Sequence, residues 1–276
     1  MDKIYINDLE FIAYHGVFPE EKKLGQKFFV SVEMLIDTRE AGITGNLEKS
    51  IHYGYVAADI EKIFSKKSYN LIETCAENIA VEILRKYELI HEIKVIVKKP
   101  WAPIQMHFKD VAVEINRKRY TVYLSLGSNI GNKEDNLNKA MEKLDNYPDI
   151  KVTKKSTIIE TEPFGPIKQD NFLNCCVEVR TIIPPREFLK IINNIEKDLG
   201  RNRIKEIKWG PRIMDIDIIL YGKEIVEEHN LSIPHQWMAE RAFVLDPLNE
   251  IAPNIVHPLL NKTIFQLKRE LNKRNE

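Results

Sequence analysis

Cysteine is scarce in this sequence, which has only Cys75, Cys175 and Cys176 among 276 residues. Such a small, odd number argues against the disulfide framework of a secreted domain. Neighbouring residues of a strand point to opposite faces, so Cys175 and Cys176 are not expected to pair. The sequence has no cysteine or histidine spacing typical of a zinc site. We therefore predict buried thiols that act as small apolar side chains in a reducing cytoplasm.

Long apolar runs and an excess of one charge are also missing. No apolar stretch approaches the roughly 20 residues of a membrane-spanning helix, and residues 1–4 lack the apolar core of a signal peptide. Lysine plus arginine and aspartate plus glutamate both number 41, so the formal charges cancel. This balance argues against a broad surface for nucleic acid or anionic membranes but permits a local phosphate site. We expect a cytoplasmic protein that binds neither nucleic acid nor membranes.

A flexible spacer rich in glycine, serine or proline is absent as well. The length fits about two domains of ordinary size. Between them we place the short basic run Asn116-Arg117-Lys118-Arg119, which is typical of a solvated linker. We predict one domain over residues 1–118 and a second over residues 119–276.

The first domain alternates between strand and helix patterns. Residues 27–37 carry an apolar side chain at every second position, as in a long half-buried strand. Helical apolar stripes follow at residues 56–64 and 72–87. One further strand is expected near the start of the chain and two more after the helices. The order is therefore two strands, two helices and two strands. This order predicts an α+β domain with an antiparallel sheet.

The second domain begins with the order strand, helix, strand, strand, helix, strand, which predicts a ferredoxin-like α/β sandwich. The strands we expect cover residues 121–126, 152–160, 174–182 and the segment after Asp215. A glycine-rich turn, residues 127–132, follows the first strand. It lacks the lysine and the spacing of a phosphate-binding P-loop, so we reject that interpretation.

An acidic pair interrupts the apolar strand near residue 215. Ile216, Ile218 and Leu220 alternate onto one face, which places Asp215 and Asp217 together on the other. Their Cα atoms are then about 7 Å apart, a separation at which two carboxylates can share a pair of Mg²⁺ ions. A solvated strand face is the commoner meaning of an isolated Asp-x-Asp pattern.

The residues before the acidic pair favour a phosphate site instead. Arg201, Arg203 and Arg212 lie within seventeen residues of Asp217 along the chain. Arginine offers a planar, bidentate fork for phosphate oxygens. Trp209, in the same stretch, offers a flat face for a ring system.

Several motifs of the second domain occur together and in one order. They are Leu126-Gly127-Ser128-Asn129-Ile130-Gly131, Thr161-Glu162-Pro163-Phe164-Gly165, Asn171-Phe172-Leu173-Asn174, the stretch 201–222, Ile233-Pro234-His235 and Arg241 to Leu248. On these motifs, residues 120–257 resemble hydroxymethyldihydropterin pyrophosphokinase, a folate-pathway enzyme. That family moves the terminal pyrophosphoryl unit of ATP onto a pterin alcohol.

This resemblance implies a role for individual residues. Asp215 and Asp217 would bind two Mg²⁺ ions, with ATP as co-substrate, and Arg201 and Arg212 would stabilise the transferring group. The implied ATP contacts are Asn193, Glu196, Arg203, His235 and Arg241. The implied pterin pocket consists of Thr161, Phe164, Phe172, Asn174, Trp209 and Phe243. For Phe172 and Phe243, ring stacking competes with plain core packing. Residues 200–210 are expected to close as a lid.

Motifs of the first domain point to the same pathway. They are Tyr14-His15-Gly16 with Glu21, Leu24-Gly25-Gln26, His52-Tyr53-Gly54, Leu71-Ile72-Glu73, and Lys99 before Pro100-Trp101-Ala102-Pro103. On these motifs, residues 3–117 resemble dihydroneopterin aldolase, which makes the alcohol that the second family consumes. The resemblance implies a tunnelling-fold domain that closes into a ring of subunits, a tetramer or octamer, and that needs no cofactor.

The aldolase resemblance also implies site residues. Lys99 would be the general acid and base, a role that burial suits because it lowers a lysine pKa. Ile72 and Glu73 would hold the pterin, and Glu21 and Tyr53 would complete the site, with Tyr53 reaching in from a neighbouring subunit. Without the resemblance, Lys99 reads as an exposed loop lysine and Glu73 as a partner of the helix dipole.

Together the two halves predict a bifunctional enzyme of folate biosynthesis. It would cleave dihydroneopterin to hydroxymethyldihydropterin and glycolaldehyde, and then pyrophosphorylate the alcohol with ATP. Two alternatives remain open for the first domain. It would be either a pterin epimerase or a non-catalytic oligomerisation module fused to the pyrophosphokinase.

Overall fold

The structure, a computed structural model, describes residues 1–163, 167–201 and 210–275. The chain divides into two compact units, Met1–Arg119 and Tyr120–Glu276. The division lies one residue beyond the predicted boundary, but the prediction of a solvated linker was wrong, because residues 116–118 are the last residues of the strand Val111–Lys118. Among the described helices, none is both long and apolar enough to cross a membrane.

The first unit is a four-stranded antiparallel sheet with two long helices. Its strands, in the order β1-β2-β3-β4, are β1 (Asp2–Ala13), β2 (Gln26–Ile36), β3 (Glu92–Lys99) and β4 (Val111–Lys118). The helices are α1 (Pro19–Leu24), α2 (Arg39–Thr44), α3 (Tyr53–Ser65) and α4 (Ile72–Lys86). The predicted α+β order of two strands, two helices and two strands is confirmed.

The apolar alternation of β2 explains how this unit is held together. Phe28, Val30, Val32, Met34 and Ile36 are all buried, whereas their neighbours on the other face are mostly half-exposed. The buried stripes of α3 and α4 supply the other side of the core. Sequence analysis missed α1 and α2, because six-residue helices are too short to show a helical period.

The second unit is built on an antiparallel sheet that helices cover on both faces. Its strands are β5 (Tyr120–Ser128), β6 (Ile150–Lys155), β7 (Ile159–Thr161), β8 (Phe172–Thr181), β9 (Asp215–Tyr221), β10 (Val226–Glu228) and β11 (Leu231–Ile233). Its helices are α5 (Lys133–Asp145), α6 (Pro185–Asp198), α7 (Ala242–Ile251) and α8 (Ile264–Asn275). The central sheet has the antiparallel order β6-β8-β5-β9, with β7 also paired to β8, and β10 and β11 form a hairpin. This order confirms the predicted ferredoxin-like core.

Both faces of the central sheet are covered, so β8 is buried along most of its length. Cys175 packs in the core on the α5 and α6 side, and Cys176 packs on the side of α7 and α8. All three cysteines are free and buried, as the sequence predicted.

Two predicted strands differ in detail. The expected strand 152–160 is divided into β6 and β7, because Ser156 bonds twice to Cys176 of β8 through its backbone N–H and its Oγ. In β9 a bulge leaves Ile219 without a pairing residue in β5, since Leu124 pairs with Ile218 and Tyr123 with Leu220. Leu220 therefore packs on the opposite face from Ile218, and its predicted position was wrong.

Candidate active sites

One cavity of about 230 Å³ lies over β5, β8 and β9 in the second unit. Nine predicted site residues line it together: Thr161, Phe172, Asn174, Arg212, Asp215, Asp217, His235, Arg241 and Phe243. The β9 bulge comes after Asp217, so the alternation that places both carboxylates on one face is intact. The cavity thus joins the acidic pair to the predicted aromatic and amide residues.

Asp215 is held by two arginines. Its Oδ1 accepts a hydrogen bond from Nη1 of Arg201, and its Oδ2 accepts one from Nη1 of Arg212. Burial alone would raise the pKa of this carboxyl, but the two guanidiniums outweigh burial and lower it. Asp215 is therefore an anion at neutral pH, and each oxygen keeps a lone pair for a further ligand.

Glu196 lies beneath this cluster and fixes one of the arginines. Its side chain is almost fully buried, and Oε1 accepts from Nη1 of Arg201 and from the backbone N–H of Ile216 at 2.8 Å. Glu196 thus links α6 to the start of β9. In the described part of the chain it does not line the cavity.

Asp217 has a different environment from Asp215. Burial and the neighbouring Asp215 carboxylate both raise the pKa of Asp217. Nε2 of His235 lies 3.9 Å from its Oδ2, but burial and the charge of Arg241 together lower the pKa of His235 to about 4. His235 is therefore neutral at pH 7, and the cations that act on Asp217 are Arg241 and Arg212, which lower its pKa by less than burial and Asp215 raise it.

The donor set fits Mg²⁺ bound together with a polyphosphate. Two carboxylates that repel each other on one strand face favour a divalent cation between them. Within the described ranges, no three His, Cys, Asp or Glu side chains surround a common point. Mg²⁺ takes one or two carboxylates and completes its shell with water and phosphate oxygens, so the pair Asp215 and Asp217 is a sufficient set of protein ligands.

The other end of the cavity is shaped to hold a flat polar ring. Nδ2 of Asn174 donates to Oγ1 of Thr161 at 2.7 Å, which fixes the amide. Phe172 and Phe243 are half-buried and line the cavity, and Phe243 also packs against the core beneath α7 and α8. The guanidinium of Arg241 lies 5.6 Å from the Phe243 ring centre.

Some predicted residues lie elsewhere. Asn193, on α6, lines a separate groove against the β10–β11 hairpin, and its buried Oδ1 has no hydrogen-bond partner among the described residues. Phe164, Arg203 and Trp209 lie outside the described residues, as does most of the predicted lid.

The sequence did not single out Ser125, Gly127 or Gly210 as residues of this cavity. Gly127 is opposite both Asn174 and Asp215, and Ser125 is opposite Asp217. The positions of Ser125 and Gly127 depend on which residues of neighbouring strands face each other, and the sequence pattern of one strand does not show this register.

The first unit holds a buried ion pair between Lys99 and Glu21. Lys99 ends β3 with 8% of its surface exposed, and its Nζ donates to Oε1 of Glu21. Glu21 lies on α1 and also accepts from Nε2 of Gln26 and from the backbone N–H of Phe18, both at 3.1 Å. The interpretation of Lys99 as an exposed loop lysine is therefore wrong.

The environment of Glu21 keeps it charged. Burial raises the pKa of its carboxyl, but the hydrogen bonds from Lys99, Phe18 and Gln26 together lower it. Gly16 leaves room for the carboxylate, since a Cβ there would lie 2.3 Å from Oε2 of Glu21. Gly16 also has a φ of +151°, which only glycine adopts readily.

The other predicted residues of this site are not gathered within one chain. Tyr53, at the start of α3, is 66% exposed, and Glu73 is exposed in the first turn of α4. Neither bonds to Lys99 or Glu21 within the described residues. Ile72 is buried beside Glu73. His15 packs against Phe28, Phe64 and Tyr69, where burial lowers its pKa to about 4.

Comparison with known proteins identifies both units. Residues 123–253 match the family model described as 7,8-dihydro-6-hydroxymethylpterin-pyrophosphokinase. A pyrophosphokinase of Aquifex aeolicus is 41% identical over 54% of this chain and 91% of its own length. The chain belongs to the hydroxymethylpterin pyrophosphokinase family. Residues 4–116 match the family model of dihydroneopterin aldolase, so both resemblances predicted from the motifs are confirmed.

Some similar proteins match about half of this chain, and others match nearly all of it. The Bacillus subtilis pyrophosphokinase is 45% identical over 48% of this chain and 78% of its own length. A folic acid synthesis protein of Dictyostelium discoideum is 34% identical across 98% of this chain. The chain spans 45% of the length of that larger relative.

Proposed function

We propose that the chain is a bifunctional enzyme of folate biosynthesis, a dihydroneopterin aldolase joined to a hydroxymethyldihydropterin pyrophosphokinase. The observation that carries this proposal is the single cavity that combines Asp215, Asp217 and Arg212 with the Thr161–Asn174 pair. A polyphosphate and a polar ring would lie at its two ends. The buried pair of Lys99 and Glu21 supports the aldolase half and argues against a non-catalytic module.

In the second unit, Asp215 and Asp217 would hold two Mg²⁺ ions, which neutralise charge on ATP oxygens when bound. Arg201 and Arg212 would stabilise the pyrophosphoryl group in transfer. Nε of Arg212 is buried with no hydrogen-bond partner among the described residues, so it is a donor in need of a phosphate oxygen. Asn174 and Thr161 would bind the ring edge of the pterin, while Phe172 and Phe243 would contact its faces.

In the first unit, Lys99 would act as the general base and general acid of a retro-aldol cleavage. A base takes the proton of the side-chain hydroxyl, the carbon–carbon bond breaks, and glycolaldehyde leaves. The bonding electrons enter the dihydropterin ring as an enamine, and an acid then protonates the exocyclic carbon. Glu21 would hold Lys99 in place and Glu73 would bind the ring edge, so neither a metal nor a Schiff base is needed.

One incubation tests this proposal. The protein is mixed with 7,8-dihydroneopterin, ATP and MgCl₂, and the products are identified by mass spectrometry. We expect glycolaldehyde, AMP and the pyrophosphate ester of hydroxymethyldihydropterin. Epimerised substrate without glycolaldehyde would favour the epimerase alternative. Ester formed only from added hydroxymethyldihydropterin would mean that the first unit is not catalytic.

The Gly127→Ala variant should bind the pterin alcohol poorly. A Cβ at this position would lie 2.7 Å from Oδ1 of Asn174 and would push the amide out of place. A cost of about 1–3 kcal/mol from overpacking corresponds to a rise in the KM for the pterin of roughly 5- to 150-fold. The KM for ATP should change less. Gly42→Ala is the control, because nothing lies within 4 Å of a Cβ at that position.

The aldolase half should assemble into a tetramer or octamer with sites shared between subunits. β1 and β4 are the two edges of its sheet, and Val17, Leu24 and Tyr53 are large exposed apolar side chains. Light scattering measures the size of the assembly, and a monomer with full aldolase activity would contradict the proposal.

Coexpression of two inactive variants tests the sharing of sites. Tyr53→Ala and Lys99→Ala subunits should together regain about a quarter of the parent's aldolase activity, because random mixing leaves that fraction of shared sites intact. Mixed assemblies that stay inactive would place both residues in one subunit's site.

A further inference from the structure

The turn that follows β5 begins with a buried asparagine that makes four hydrogen bonds. Asn129 is 4% exposed. Its Oδ1 accepts from the backbone N–H of Arg212 at 2.7 Å, and its own N–H donates to the carbonyl oxygen of Arg212 at 3.0 Å. Its Nδ2 donates to Oε1 of Gln169 at 2.9 Å and to the carbonyl oxygen of Asp170 at 3.0 Å. The side chain therefore uses both of its donors and its acceptor.

These bonds join two segments that border opposite ends of the cavity. One contains Arg212, which reaches Asp215 at the carboxylate end. The other precedes β8, whose first residues include Phe172 and Asn174 at the ring end. Asn129 lies 83 residues from the first partner and 40 or 41 from the others, so only the folded chain brings them together.

The backbone around Arg212 has no secondary structure of its own to hold it. Residues 211–214 precede β9 and belong to neither a helix nor a strand. Oγ of Ser128 donates to the carbonyl oxygen of Ile213 at 2.6 Å, and Nδ2 of Asn136 donates to the same oxygen at 3.2 Å. The position of this segment thus depends on side-chain hydrogen bonds from the end of β5, from Asn129 and from α5, and both backbone groups of Arg212 are bound by Asn129.

We infer that Asn129 is a positioning residue for pyrophosphoryl transfer and that it acts through Arg212. This inference rests on the proposed function of the second unit. Asn129 touches neither the carboxylate pair nor the inner wall of the cavity. It fixes the position of the backbone at Arg212, and thereby the position of the guanidinium. A misplacement of about 1 Å in a group that stabilises the transition state costs on the order of 10²-fold in rate.

The kinetic test compares Asn129→Ala with Asn132→Ala. Asn132 belongs to the same turn, but its side chain caps α5 by accepting from the N–H of Asp135 at 3.2 Å. Asn129→Ala should lower kcat on the order of 10²-fold while the KM for ATP changes by less than about threefold. Asn132→Ala should lower thermal stability and leave kcat within about twofold of the parent. Equal kcat losses in the two variants would overturn the inference.

A double variant separates positioning from a general loss of structure. If Asn129 acts through Arg212, adding Asn129→Ala to Arg212→Ala should cause little further loss of kcat. Two multiplicative losses would contradict the inference. Gln169→Ala removes one acceptor of Nδ2 but leaves both Arg212 bonds, so its kcat should stay close to that of the parent.

Hydrogen exchange gives a readout that needs no activity. In Asn129→Ala, the peptide that contains residues 210–214 should lose protection, and in Asn132→Ala it should not. Unchanged exchange in both variants would overturn the inference. A parent protein without transfer activity would instead refute the proposed function, and the exchange comparison would still decide whether Asn129 holds Arg212.

Discussion

Asp217→Asn should lower pyrophosphoryl transfer by more than about 10²-fold, because loss of a direct metal ligand exceeds the 10–100-fold effect of an outer partner. Asparagine keeps the size of the side chain but removes the charge that would hold a cation. The fold should tolerate the change, since burial and the Asp215 carboxylate both disfavour the charged form of Asp217 and raise its pKa. Release of AMP at saturating MgCl₂ measures the loss.

Two further variants serve as comparisons for Asp217→Asn. Asp246→Asn makes the same change on α7, where the carboxylate pairs with Lys268 at 2.9 Å, and it should leave AMP release near the parent rate. Asp215→Asn should lose activity and also thermal stability, because Arg201 and Arg212 would both lose a buried anion. Glycolaldehyde release should be unchanged in all three. Full transfer by Asp217→Asn would refute the assignment of the metal ligands.

Lys99→Ala should lower glycolaldehyde release by about 10²–10⁴-fold, the usual effect of removing a general acid or base. Lys99 is the one cation that bonds to the buried Glu21 carboxylate in the described chain, so no neighbour can replace it there. Pterin binding, measured by fluorescence, should persist because Glu73 is expected to hold the ring edge. Pyrophosphorylation of added hydroxymethyldihydropterin should be unaffected.

The adjacent lysine provides the control for this experiment. Lys98 lies on the other face of β3 and pairs with Asp8 at 2.7 Å near the surface, so Lys98→Ala should keep normal cleavage. Lys99→Met retains the apolar stem and tests whether activity is lost through the charge or through packing. Near-normal cleavage by Lys99→Ala, or a borohydride-trapped adduct on Lys99 in the parent, would exclude the non-covalent role.

Local patterns in the sequence determined most of the elements and both families. The alternation of β2 and the stripe of Phe188, Ile191, Ile192 and Ile195 on α6 are short-range periodicities, and the structure retains them. The shared face of Asp215 and Asp217 also follows from neighbouring residues alone. The motifs were sufficient to name the two families because each is a run of contiguous residues.

Tertiary structure alone decided which of these residues meet. The ion pair between Lys99 and Glu21 spans 78 residues and depends on α1, a helix too short to leave a periodic signal. The β9 bulge, which moved Leu220 to the other face, arises from pairing with β5. The Glu196 carboxylate accepts a hydrogen bond from the backbone N–H of Ile216, 20 residues along the chain, and strand register brought Gly127 against Asn174. Each is a contact between distant segments, so no local pattern could encode it.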